Sequence, residues 1–91
     1  MRIEDLLGDK KTTYSIIDEY NEKSSITIDK WVADLLQEVL QDVHSWIQQK
    51  YSLVCEKKPH LTRREKGDYV RHLASKEVEK HPNYNSMFDF L

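Results

Sequence analysis

Apolar residues at positions 28, 31, 32, 35, 36, 39, 40, 43, 46 and 47 recur with the 3.6-residue period of an α-helix. This stripe predicts one long amphipathic helix from Thr27 or Ile28 to about residue 54, roughly 40 Å long at about 1.5 Å per residue. Asp29 in its first turn suits the positive end of the helix dipole. Upstream, Tyr14, Ile16, Ile17 and Tyr20 include pairs at i+3 and i+4 spacing. They predict a shorter helix that Thr12 or Thr13 caps and that ends near Asn21. The polar Asn21-Glu22-Lys23-Ser24-Ser25 stretch reads as a loop, and Ile3 to Leu7 as an opening helical turn stopped by Gly8.

The clearest interruption downstream is Lys57-Lys58-Pro59-His60, because proline pushes the residue before it out of helical geometry. Thr62-Arg63-Arg64-Glu65 then has the form of a capping box, in which the Thr62 hydroxyl accepts from the Glu65 amide and the Glu65 carboxylate reaches back. The helix it starts carries Tyr69, Val70, Leu73, Ala74 and Val78 on one side, and Pro82 marks its end. The segment from Asn85 to Leu91 holds Met87, Phe88, Phe90 and Leu91. So apolar an end either packs into the core or belongs to a longer protein. The pattern as a whole predicts a single all-α domain over residues 1–91, a small bundle of about four helices built on the long central one.

Composition agrees with one folded domain. The 91 residues include two Trp, two Phe and five Tyr as bulky core material, while Gly and Pro occur only twice each. A lone Cys55 excludes an internal disulfide and fits a reducing compartment. No apolar run approaches the ~18 residues of a membrane span, and the acidic start lacks a signal peptide's apolar stretch, so the expected location is the cytoplasm.

Catalytic and cofactor chemistry lacks its residue patterns. Cys55, His44, His60, His72 and His81 contain no Cys-x-x-Cys or His-x-x-x-His pair, so no metal site is expected. Ser45 beside His44, and Cys55 near His60, sit in no recognised nucleophile motif. Gly8 and Gly67 are too few for a phosphate-cradling loop, and the pairs Asp18/Glu19 and Glu38/Asp42 fit solvated helix faces. Neither catalytic residues nor cofactors are expected. The aromatic residues fit core packing, apart from Tyr84 in a polar turn.

Charge is uneven. Residues 1–54 hold six basic and ten acidic side chains, residues 55–91 eight and six. The basic excess gathers at Lys57, Lys58, His60, Arg63, Arg64, Lys66 and Arg71, with His72 nearby, against Glu65 and Asp68 alone. Arg63 and Arg64 stand in a first helical turn, where cations oppose the dipole, so they are candidates for holding phosphate oxygens. The alternative is an ordinary charged surface with pairs such as Arg64–Asp68. An overall pI of 6.1 argues against a dedicated duplex binder, whose domain pI usually exceeds ~9.

The order of segments resembles the helical C-terminal domain of ATP-dependent RNA ligases of the phage T4 type. The similarity runs through the Ile3-Glu4-Asp5-Leu6-Leu7 entry, the Ile16-Ile17 helix, the Ile28-Asp29-Lys30-Trp31-Val32 start of the long helix, the Thr62-Arg63-Arg64-Glu65 helix start and the closing His81-Pro82-Asn83-Tyr84-Asn85-Ser86-Met87-Phe88. Lys66-Gly67 stands where that family prefers an aromatic and an alanine, and the Lys-x-Asp-Gly nucleotidyltransferase motif is missing. The resemblance implies a non-catalytic appendage that positions RNA, including broken tRNA, beside an attached or associated nucleotidyltransferase domain. The rival expectations are a small phage or plasmid adaptor or inhibitor that binds a protein partner, and a helix-turn-helix DNA binder using the Thr62 helix.

Overall fold

In the computed structural model, which describes residues 10–81, a β-hairpin precedes three helices. The strands are β1 (Lys11–Ile17) and β2 (Lys23–Asp29); the helices are α1 (Lys30–Val39), α2 (Val43–Lys57) and α3 (Arg63–Val78). The fold is therefore α+β, not the all-α bundle of about four helices that the apolar pattern predicts. The expected turn at Ile3–Leu7, Pro82, Tyr84 and the apolar end from Asn85 to Leu91 lie outside the described residues.

The expected 12–21 helix is β1 and the first part of the turn. Its apolar residues serve two periods at once, and the strand period is the one that finds a partner. β1 pairs antiparallel with β2, in a register that sets Thr12 opposite Ile28, Tyr14 opposite Ile26 and Ile16 opposite Ser24. Ile16, Ile26 and Ile28 are buried, and Tyr14 packs against them from one side. The opposite face is polar: the Thr13 and Thr27 hydroxyls meet at 2.8 Å, and Lys11 pairs with Asp29. Alternation of apolar and polar faces is what a half-buried ribbon requires.

The turn is organised by Asp18. Its carboxylate accepts from the backbone amides of Tyr20 and Glu22, both at 2.9 Å, while its own amide donates to the Glu22 carbonyl. Asn21 takes a positive φ of 63°, a left-handed conformation that asparagine tolerates better than most residues and that closes a three-residue hairpin loop. The segment that reads as a loop, 21–25, is thus the end of this turn and the first half of β2.

The expected long helix is also divided. Its first residues, Thr27 to Asp29, complete β2, and the chain extends again at Leu40 before Asp42 caps α2. The Asp42 carboxylate accepts from the Ser45 amide at 3.0 Å and from its hydroxyl at 2.7 Å. The apolar stripe crosses this break because α1 and α2 face the same core. Val32, Ala33, Leu35 and Leu36 come from α1; Val43, Ile47, Tyr51 and Val54 from α2; Val70, Ala74 and Val78 from α3. Fully burying one such large side chain contributes about 1.5–3 kcal/mol. Among the described residues, no helix is long and apolar enough to cross a membrane.

Helix side chains occupy the ribbon's edges. The Gln48 amide meets the backbone of Ile17 twice, accepting from its N–H at 2.7 Å and donating to its C=O at 3.0 Å. His44 Nε2 donates to the Ser15 carbonyl, and Arg71 Nε donates to the Thr27 carbonyl at 2.7 Å. Exposed edges are templates for strand pairing with other chains, and these contacts cover them.

Replacing Asp18 leaves turn amides without an acceptor and Arg63 without its partner. Asp18→Ala is expected to lower stability by about 1–3 kcal/mol in urea unfolding, and Asp18→Asn by less because its carbonyl still accepts. An unchanged midpoint for Asp18→Ala would remove Asp18 from this role.

Candidate functional site

The basic cluster expected around residues 57–71 is held by the end of α2, the link 58–62 and the start of α3. The expected capping box is present. The Thr62 hydroxyl accepts from the Glu65 amide at 3.2 Å, and the Glu65 carboxylate accepts from the Thr62 amide at 2.9 Å. Hydrogen bonding from Thr62, its backbone amide first, holds the Glu65 carboxyl below its usual range, and the box fixes the backbone that bears Arg63 and Arg64.

The seven basic residues do not form one surface. Lys66 turns inward, its side chain 7% exposed, and pairs with Glu19 of the hairpin turn. Arg63 approaches the buried Asp18 carboxylate at 3.6 Å. Arg71 bonds Thr27 and also Asp68, at 2.5 Å, while the Lys58 ammonium lies over the Tyr69 ring, 5.7 Å from its centroid. Lys57, His60 and Arg64 are exposed, and none forms an ion pair with a described residue.

A groove of about 230 Å³ runs between the hairpin and α3. Arg63, Arg64 and Arg71 line it with Ser24, Ser25 and the bare backbone of Gly67, over a floor that includes Ile16 and Ile26. No carboxylate is part of its lining. A Cβ at Gly67 would lie 3.6 Å from Arg71 Nη1, an ordinary contact distance, so alanine would fit there. A guanidinium has five N–H donors, and the contacts of Arg63 and Arg71 leave donors unused on each. Fixed arginines with spare donors can receive oxyanions bidentately. The place of Ser24, Ser25 and Gly67 in this lining escapes sequence reading, because their neighbours are set by the fold.

Beneath the groove lies a polar cluster of a different kind. Glu19 accepts from Lys66, from the Tyr51 hydroxyl at 3.2 Å and from the Cys55 thiol at 3.2 Å. The Lys66 hydrogen bond, then that of Cys55, lowers the Glu19 carboxyl to about 2, and the same Glu19 contact raises the Lys66 ammonium. Burial first, then Glu19, pushes the Cys55 thiol up, which keeps it protonated and a poor nucleophile. His44 and Ser45 are occupied by the β1 backbone and by the Asp42 cap. Among the described residues, no three His, Cys, Asp or Glu side chains gather as a metal site would require.

Glu19 sets a pH dependence. Its folded value is depressed, so its contribution to stability is present above the ordinary 4.5 and is lost as pH falls from there to about 2. Urea unfolding across this window is expected to show a fall in stability that Glu19→Gln reduces. Identical pH profiles for the two proteins would exclude the pairing.

Compared with known protein families, curated proteins and solved structures, the chain matches none.

Proposed function

We propose that this domain binds RNA through its phosphates and performs no chemistry on it. The observation that carries this reading is the groove between hairpin and α3, which three arginines line and no carboxylate of the described residues does. Arg64 is the least committed of the three, Arg71 is held by hydrogen bonds to Thr27 and Asp68, and Arg63 lies 3.6 Å from Asp18. Guanidiniums already fixed lose less side-chain freedom on meeting a phosphate.

Salt dependence tests the reading. Each phosphate contact with a single strand contributes about 0.7 to the slope of log K against log salt. Arg64→Ala is expected to weaken binding of a single-stranded RNA oligonucleotide and to reduce this slope by about 0.7, with the unfolding midpoint unchanged. An unaltered affinity and slope would remove the groove from the interface. Tighter binding of duplex DNA than of RNA would instead favour helix-turn-helix recognition by α3.

A further inference from the structure

The hairpin tip carries an exposed aromatic ring, Tyr20, on the segment that leads into the strand lining the arginine groove. Tyr20 is 77% exposed, and its backbone amide donates to the Asp18 carboxylate. The residue after it, Asn21, has a positive φ, and the two residues before it meet α3 through Asp18–Arg63 and Glu19–Lys66. A tyrosine on a mobile loop would lose backbone freedom on meeting a ligand, whereas the backbone here is already held by the Asp18 turn.

The other described tyrosines are engaged. Tyr14 stacks against His44, Tyr51 is buried, and Tyr69 lies under the Lys58 ammonium. Tyr20 is joined to the groove by a short length of chain, since Ser24 and Ser25 of the lining follow it on the returning strand at about 3.3 Å per residue. Arg63 is common to the groove lining and the tip's anchorage. Glu22, also at the tip, stays exposed, and its charge disfavours phosphate there. A strand whose phosphates follow the arginines would therefore bring a base to the tip in preference to its backbone.

From this geometry we infer that Tyr20 is a stacking platform for an unpaired nucleobase, which makes the ligand a single-stranded segment. The inference rests on the RNA reading of the groove. Paired bases within a helix keep their faces covered by their neighbours, while an unpaired base can leave the stack and lie on an aromatic ring.

The test uses single-stranded RNA carrying 2-aminopurine, whose fluorescence falls when the base stacks, together with the same oligonucleotide made abasic at that position. The protein is expected to quench the probe. Tyr20→Ala is expected to abolish the quench and weaken binding roughly tenfold, and Tyr20→Trp to restore both. Loss of the base should weaken binding to the unaltered protein and leave Tyr20→Ala indifferent. If Tyr20→Ala binds and quenches like the unaltered protein while Arg64→Ala binds weakly, the stacking role is wrong and the groove reading stands. If the unaltered protein does not bind the oligonucleotide, both fall. Unfolding of each variant reports whether the ring also has a structural role, and its exposure predicts an unchanged midpoint.

Discussion

A two-stranded ribbon is at best marginally stable alone in water, and the rest of this domain answers to that constraint. One face of the ribbon is covered by the helices, through Ile16, Ile26 and Ile28. Its edges are met by Gln48, His44 and Arg71, which stand in for the backbone of further strands. Its turn is drawn onto α3 by two acids, Asp18 and Glu19. Each contact joins residues far apart in the chain, so the hairpin and the helix pair that receives it depend on one another.

The Glu19–Lys66 pair illustrates the terms of that dependence. A partly buried ion pair gives up hydration on both sides, and its attraction repays this only when the remaining valences are also satisfied. Here Tyr51 and Cys55 supply the extra donors to the carboxylate. Removing one member would leave the other charge in a site arranged for a pair. The cluster thus stabilises less than its proximity suggests, but it discriminates strongly against a hairpin packed in another position.

What could be read from the sequence divides along the same line between local and distant. The capping box at Thr62 and Glu65 is a four-residue device whose bonds close within itself, and it is found where the sequence places it. The hairpin is not local in that sense. Tyr14, Ile16, Ile17 and Tyr20 satisfy helical spacing, and only pairing with β2 reveals that Ile17 and Tyr20 are exposed while Ile16 is buried. The β-branched run in β1, the alternation of Ser25-Ile26-Thr27-Ile28 and the tolerance of Asn21 for positive φ are its sequence signals, each weak alone. The division at residues 40–42 is hidden because both helices offer their apolar faces to one core, leaving Asp42 as its sole local mark. The basic cluster is visible in composition, but its partition is not. Lys66 looks like its neighbours until Glu19, 47 positions away, is brought against it.

That partition also bears on how a chain with a formal net charge of −2 can hold an anion. Exposed charges act over a screening length of about 8 Å at physiological salt, so a ligand in the groove responds to its immediate surroundings more than to the molecular total. The turn acids closest to α3, Asp18 and Glu19, are already matched by Arg63 and Lys66. Asp68 faces Arg71 from the helix surface and lies outside the groove lining. Arg64, together with the unused donors of Arg63 and Arg71, is left to set the local potential. The ion pairs that fasten the hairpin therefore also remove the carboxylates that would otherwise repel a phosphate, and the same contacts that build the fold give the groove its sign.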